Sequence, residues 1–224
     1  MADRAASLLI VAAVALRAAA AAPADAQRLR AAEDALTHAV EASEGIPRDI
    51  LADASCIGVF PEASKSDFQS GKPFARGVVT CRRPDGTMGA PAFFTLTAGR
   101  ATWGFEGDRS DLVLLVMSPA ARQRVISGHV DLGPGAATVG GPIGRSLSTP
   151  AQLKAEMLSW ASTSGAVAGV SLDGNVLEQD TKTTAVFYGS PISAASILGD
   201  PTMAPPHVAA SFLRLTSEYA NPSS

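Results

Sequence analysis

The chain has 224 residues, of which 46% are hydrophobic and 17% are charged. A chain of this length and hydrophobicity buries a sizeable core, so the composition excludes intrinsic disorder and suits one domain with short appendages. Its 18 basic and 21 acidic residues leave a formal net charge of -3. That balance argues against a nucleic-acid-binding protein that relies on overall positive charge, although it permits a local basic patch.

The N-terminus has the pattern of a secretory signal peptide. Arg4 is followed by an apolar run over residues 5–16, which is too short to span a bilayer. Residues 24–26, Ala-Asp-Ala, then form a small-x-small cleavage site before Gln27. We therefore expect residues 1–26 to be removed and the protein to be exported, as a periplasmic or secreted protein. The alternative is an ordinary N-terminal helix.

Five segments have helical signals. Ser118 is the expected N-cap of the third, which ends at Gly128. The fourth has the same start signal and an apolar face of Leu153, Met157 and Trp160. The five segments are 27–44, 47–54, 119–127, a stretch from 150 that ends by 165, and a C-terminal helix with Val208, Phe212, Leu215 and Tyr219 on one face.

Strand patterns lie between these helices. Pro61 is expected to end the first strand, and residues 62–74 to form a loop or a distorted hairpin. Turn residues at 83–87 and at 173–174 predict two hairpins. Strands joined by tight turns predict an α+β protein, with an antiparallel or mixed twisted sheet or a partly closed barrel and packed helices. The predicted strands are 55–60, 77–83, 90–97, 101–105, 112–117, 167–172, 175–178 and 185–188.

Two cysteines, Cys56 and Cys81, lie in the first two predicted strands. Pairing of these strands across their connecting loop would bring the two thiols together. In an exported protein such a pair indicates a disulfide, and the alternative is two buried free thiols.

No catalytic or metal-binding motif stands out. The three histidines, His38, His129 and His207, lie in different elements without metal-ligand spacing. Residues 169–174 approach a serine-hydrolase elbow but lack glycine two residues after the serine. The glycine-rich stretch 128–145 lacks the lysine of a P-loop and carries prolines where a phosphate needs N–H donors. We expect no cofactor and no metal, and a crowded structural role for the glycines.

Short pieces of the sequence nevertheless follow one another in a recognisable order. They are 57–61 (IGVFP), 76–79 (RGVV), 90–93 (APAF), 110–117 (SDLVLLVM), 132–133 (LG), 140–145 (GGPIGR), 155–160 (AEMLSW), 165–174 (GAVAGVSLDG) and 188–189 (YG). In this order and spacing they resemble the SYLF domain, a lipid-binding module of bacteria and eukaryotes. Three places depart from the family pattern: the loops 67–72 and 103–107, and Met88.

The resemblance implies binding of anionic phospholipids such as phosphoinositides, with actin binding in some eukaryotic members. Because an exported protein does not meet actin, we expect an anionic lipid or membrane surface as the partner. The chain then divides into the signal peptide, a lipid-binding domain with its N-terminal helix over 27–189, and a proline-rich connection with a C-terminal helix over 190–224. The cations expected to contact headgroups are Arg28, Arg30, Lys72, Arg76, Arg82, Arg83 and Arg145.

Three alternatives remain at this point. The scattered cations can form an ordinary solvated face. The protein can be a hydrolase, not a binding module, with a cleft lined by carboxylates such as Asp108, Asp111 and Asp131. It can also be a purely structural envelope protein. A hydrolase requires titratable side chains that converge in one cleft, whereas lipid binding requires an apolar groove or face rimmed by arginine.

Overall fold

A nine-stranded mixed sheet forms the centre of the fold within the described residues. The computed structural model describes residues 23–133, 138–141, 154–163 and 166–221. Arg145, residues 1–22 of the predicted signal peptide and the predicted helix start at 149–150 lie outside them. The strands are β1 (Cys56–Ser64), β2 (Pro73–Cys81), β3 (Ala92–Ala98), β4 (Arg109–Val116), β5 (His129–Leu132), β6 (Thr138–Gly140), β7 (Met157–Thr163), β8 (Ala166–Gly169) and β9 (Asn175–Gln179).

The sheet is antiparallel except at one edge. The strand order is β5-β9-β3-β2-β1-β4-β7-β6, and β8 also pairs with β7. The β6–β7 pair is parallel, while the other neighbours are antiparallel. The structure thus confirms the predicted α+β class with a mixed, mainly antiparallel sheet.

Helices cover both faces of the sheet. Phe93 and Phe94 are neighbours on β3 but belong to different apolar clusters, because successive side chains of a strand point to opposite faces. Helices α1, α2 and α7 pack on the Phe93 side, and α4 and α6 pack on the Phe94 side. The helices are α1 (Pro23–Glu41), α2 (Arg48–Asp53), α3 (Lys65–Gln69), α4 (Pro119–Ser127), α5 (Thr181–Tyr188), α6 (Ala194–Leu198) and α7 (Ala210–Ala220), with a 3-10 turn at His207–Ala209.

Local sequence signals predicted several of these elements correctly. Helix α4 begins where the Ser118 hydroxyl accepts a hydrogen bond of 3.1 Å from the Ala121 amide, and it ends at Gly128, whose φ is 87°. The turn at 83–87 closes through a backbone hydrogen bond of 2.8 Å and has Gly86 at a φ of 87°. Helices α2 and α7 are also confirmed, while α1 begins and ends a few residues earlier than predicted.

The predicted disulfide is present. Cys56 and Cys81 are direct partners in the β1–β2 register, and their sulfur atoms are bonded. Both residues are buried, at 0% and 3% exposure. The register of two paired strands therefore explains why these cysteines meet.

Strand β1 does not end at Pro61, as the sequence predicted. Its register with β4 shifts between Phe60 and Ala63, so a β-bulge takes up the intervening residues. Glu62 has a φ of 52°, and its amide donates a hydrogen bond of 2.8 Å to the Asp111 carboxylate. Because proline lacks an amide N–H, it is tolerated in a strand mainly at such a bulge or at an edge.

The segment around Trp160 is a strand and not the predicted helix. It forms β7, which pairs with β4 along its length. Met157 and Trp160 lie in the clusters on opposite faces of the sheet. A strand that is buried on both faces shows no alternation of apolar and polar residues, so its pattern does not distinguish it from a buried helix.

Two other predicted strands and one predicted hairpin differ from the structure. Residues 185–188 belong to helix α5, which is capped by the Asp180 side chain. Residues 101–105 form no strand, and Trp103 packs edge-on against neighbouring aromatic rings. The turn at 173–174 does not close a hairpin, because β8 pairs with β7 whereas β9 pairs with β3 and β5.

Candidate functional site

A groove of about 560 Å³ lies between the first turns of α1 and one end of the sheet. Antiparallel pairing brings the end of β1 and the beginnings of β2 and β4 to this place, and α3 follows β1 there. The charged residues that line the groove are Arg28, Glu62, Asp67, Arg76 and Arg109.

Three elements each contribute one arginine to the groove. Arg28 comes from α1 and Arg76 from β2, and both were expected to contact lipid headgroups. Arg109 was missed by the sequence analysis. It begins β4, and only the pairing of Ser64 with Arg109 places it at the groove. No local sequence signal reveals that register.

Arg28 is held in place by its neighbours. Its guanidinium donates hydrogen bonds of 3.5 Å to the Asp180 carboxylate and to the Thr183 hydroxyl. It also lies over the Phe93 ring, 5.5 Å from the ring centroid. These contacts orient Arg28 before any ligand arrives.

The partner of Arg28 is itself fixed by hydrogen bonds. The Asp180 carboxylate accepts from the Thr183 amide at 2.9 Å and from its hydroxyl at 2.6 Å. Burial raises the pKa of Asp180, but these hydrogen bonds and the nearby Arg28 outweigh it and leave the pKa below its usual value. Asp180 is therefore ionised at neutral pH, and it balances one of the three arginine charges.

A second carboxylate, that of Asp25, lies on α1 beside Arg28. It precedes Arg28 by one helical turn, and it is 7% exposed. Its Oδ2 atom is buried and has no hydrogen bond to the described residues. Burial raises the pKa of Asp25, Arg28 opposes that shift and Asp180 adds to it. Asp25 is thus a poorly satisfied charge at the N-terminal end of the groove.

The other two arginines are freer. The Arg109 guanidinium is 3.9 Å from the Glu62 carboxylate, and the two side chains are 66% and 73% exposed. Such exposed pairs contribute little to stability, so water and ligands compete with them readily. Arg76 is exposed, and the described residues give it no ion pair or hydrogen bond.

The other predicted cations among the described residues do not line the groove. Arg30 and Lys72 are exposed, on α1 and in the turn before β2, and do not line it. Arg82 and Arg83 follow the far end of β2 from Arg76. Arg145 lies outside the described residues. Of the six predicted cations that the structure describes, two line the groove, and Arg109 lines it as well.

Arg82 directs its guanidinium to acceptors within the chain. Burial lowers its pKa, although the nearby Asp53 opposes the shift. Its neighbour Arg83 donates a hydrogen bond of 2.6 Å to the Met203 carbonyl. The groups that accept from Arg82 are the carbonyl oxygens of Leu51, Ala52, Ala54, Gly86 and Ala220 and the side-chain oxygen of Asn221.

The carboxylates of the hydrolase alternative do not converge. The Asp111 carboxylate accepts a hydrogen bond from the Glu62 amide at the β1 bulge, and the Asp108 carboxylate lies 3.6 Å from the Lys65 ammonium. Asp131 is on β5, which four other strands separate from β4. The described residues contain no group of three side chains suited to a metal ion. Among their helices, none has the length and apolar character needed to cross a bilayer.

The fold and the groove define a class of protein, an α+β domain with helices on both faces of a mixed sheet and three arginines in one groove. The chain belongs to the Ysc84 family, described as Las17-binding protein actin regulator, which matches residues 99–219 and thus more than half of the chain. Membership of this family confirms the resemblance to the SYLF domain that the sequence pieces suggested.

Several eukaryotic proteins are similar to the chain. LAS seventeen-binding protein 3 of Saccharomyces cerevisiae is 28% identical over 186 residues, which are 80% of this chain and 40% of that protein. SH3 domain-containing YSC84-like protein 1 of Homo sapiens is 28% identical over 163 residues, 71% of this chain and 47% of that protein. Protein YSC84 of Saccharomyces cerevisiae is 27% identical over 171 residues, which are 74% of this chain and 36% of that protein. The chain spans less than half the length of each of these relatives.

Proposed function

We propose that the protein is an exported, non-enzymatic module that binds anionic phospholipid, or another anionic envelope component, in the groove beside α1. The observation that supports this most strongly is the meeting of Arg28, Arg76 and Arg109 in one groove. Guanidinium groups bind phosphate oxygens through paired, charge-assisted hydrogen bonds, so three of them suit a phosphorylated headgroup.

The three arginines have complementary roles in this proposal. Arg28 is already oriented by Asp180, so its side chain loses little conformational entropy when it binds a phosphate. Arg76 is exposed and ready to pair with an anion. Arg109 exchanges its exposed partner Glu62 for phosphate at a cost of about 0–1 kcal/mol.

The relatives' names point to other partners. Las17 binding and actin regulation are stated of the family, and the relatives named for them are eukaryotic proteins. For this chain we propose a lipid surface, because the predicted signal peptide at 1–26 would place the domain outside the cytoplasm. An envelope lipid is the anion that such a protein meets in its own compartment.

Vesicle co-sedimentation tests the proposal. The protein should sediment with phosphatidylglycerol vesicles and not with phosphatidylcholine vesicles, and binding should weaken as salt rises, because screening reduces the attraction between exposed charges. Arg76→Gln should lower the affinity about fivefold, since one basic residue near an anionic surface contributes about 1 kcal/mol.

A matched variant locates the binding to the groove. Arg30→Gln removes an exposed charge from α1 outside the groove and should have a much smaller effect than Arg76→Gln. Equal losses in the two variants would show that binding depends on overall charge and not on this groove. Negligible binding to both kinds of vesicle would reject lipid binding and favour a structural envelope protein.

A further inference from the structure

We infer that the mature N-terminus is itself part of the anion-binding groove, with the α-ammonium group of Gln27 as a further cation beside Arg28. The inference rests on the proposed function, because it names an additional group of the same groove. It concerns the protein after the predicted cleavage between Ala26 and Gln27.

The position of α1 places the new terminus at the groove. The helix begins at Pro23, so the predicted cleavage bond lies within the helix and not ahead of it. Ala24, Gln27, Arg28 and Ala31 all line the groove. Cleavage therefore removes Ala24 from the described lining of the groove and makes Gln27 the first residue of the chain.

Among the residues that cleavage removes, the described residues 24–26 contribute little to the core. Of the residues 24–26, only Asp25 is buried, and its Oδ2 atom has no hydrogen-bond partner among the described residues. A buried carboxylate without a partner destabilises a fold. The fully buried apolar side chains of α1 begin at Leu29 and continue to Ala39. The mature chain thus keeps the apolar face that holds α1 on the sheet.

Cleavage changes the charge beside Arg28 by two units. Asp25 leaves with the signal peptide, so its negative charge is lost. Cleavage also creates a new α-amino group on Gln27. An α-amino group in a free peptide has a pKa of about 7.7–8.0, so such a group is mostly protonated at neutral pH. Arg28 keeps its other partner, Asp180, and stays oriented. With Asp180 still present, the net charge around Arg28 changes from negative to positive.

N-terminal glutamine provides a way to remove the new charge without mutation. Glutaminyl cyclase joins the α-nitrogen of such a residue to its own side-chain carbonyl carbon and releases the amide nitrogen as ammonia. The product is a neutral lactam. A chain that begins with Gln27→Ser keeps its ammonium group under the same treatment and serves as the matched control.

The experiment compares the exported protein before and after this treatment, with inositol hexakisphosphate as a soluble probe in titration calorimetry at low ionic strength. Mass spectrometry should first show Gln27 as the mature N-terminus. Cyclisation should weaken binding about three- to tenfold, since one nearby charge is lost from a partly exposed site. The affinity of the Gln27→Ser protein should not change.

Each outcome decides between the two proposals. Equal affinity of the free and cyclised forms, or a mature N-terminus at another residue, would overturn the role of Gln27 and leave lipid binding in the groove intact. Absence of binding to both inositol hexakisphosphate and phosphatidylglycerol vesicles, in the free and cyclised forms alike, would reject the proposed function and this inference together.

Discussion

Arg76 and Arg82 lie six residues apart on β2 and the turn after it, yet their guanidinium groups have opposite surroundings. Arg76 is exposed at the groove, without a partner among the described residues. Arg82 donates to the carbonyl oxygens at the end of α2 and at the end of α7, and to the turn residue Gly86. The sequence predicted headgroup contact for both residues, but their hydrogen bonds indicate that Arg82 holds the ends of two helices together.

Arg82→Lys should destabilise the protein by about 2 kcal/mol, because lysine has a single ammonium group and cannot reach acceptors on both helices and the turn. Urea unfolding measures the change, with the exposed Arg30→Lys as a control that should stay within about 0.5 kcal/mol of the wild type. The folded Arg82→Lys protein should bind phosphatidylglycerol vesicles as the wild type does. A loss of vesicle binding at unchanged stability would indicate instead that Arg82 contacts lipid headgroups.

At the scale of elements, the sequence predicted those parts that depend on neighbouring residues. The cap at Ser118 and the turn at 83–87 each complete their hydrogen bonds within four residues, so their sequence signals were sufficient. The β7 strand was misread because both of its faces are buried, so its sequence lacks the alternation of a half-buried strand, and because its partner β4 lies far away in the chain. A pattern that depends on distant partners cannot be assigned from local periodicity alone.

The groove was predicted only in part for the same reason. Arg28 and its partner Asp180 are separated by 152 residues in sequence, and no local pattern relates them. Arg109 reaches the groove through its pairing with Ser64, beyond a bulge that the sequence analysis had read as the end of a strand. Residue types indicated which cations could bind phosphate, whereas strand register decides which of them meet.

The glycine-rich stretch supplies a test at this scale. Gly141 packs directly on the Trp160 ring, and a Cβ atom there would overlap the ring. Gly141→Ala should therefore destabilise the protein by about 1–3 kcal/mol, as overpacking of a core does. Gly133→Ala, in the same stretch, places its Cβ atom more than 4 Å from the atoms of the described residues around it and should be tolerated. Thermal unfolding of the two variants compares them, and equal melting temperatures would contradict close packing as the reason for the glycine at 141.

At the scale of the whole molecule, two helical layers share one sheet, and β1 and β2 lie at its centre. The disulfide joins these two strands and belongs to the cluster on the α4 and α6 side. The next residue after Cys81 is Arg82, which reaches α2 and α7 on the opposite side. A crosslink between these central strands is therefore expected to stabilise the helical layers on both faces of the sheet.

Replacing Cys56 and Cys81 together by alanine should lower the free energy of unfolding by about 3 kcal/mol, because the crosslink closes a loop with a sequence separation of 25 and restricts the unfolded chain. The fold should persist, since the β1–β2 pairing and both apolar clusters remain and the alanines fill most of the space. Urea unfolding with and without reductant measures the effect: reductant should lower the wild-type midpoint to near that of the double variant and leave the variant unchanged. Equal midpoints for the unreduced wild type and the variant would show that the crosslink contributes nothing to stability, and thiol labelling of unreduced protein would then establish whether it forms.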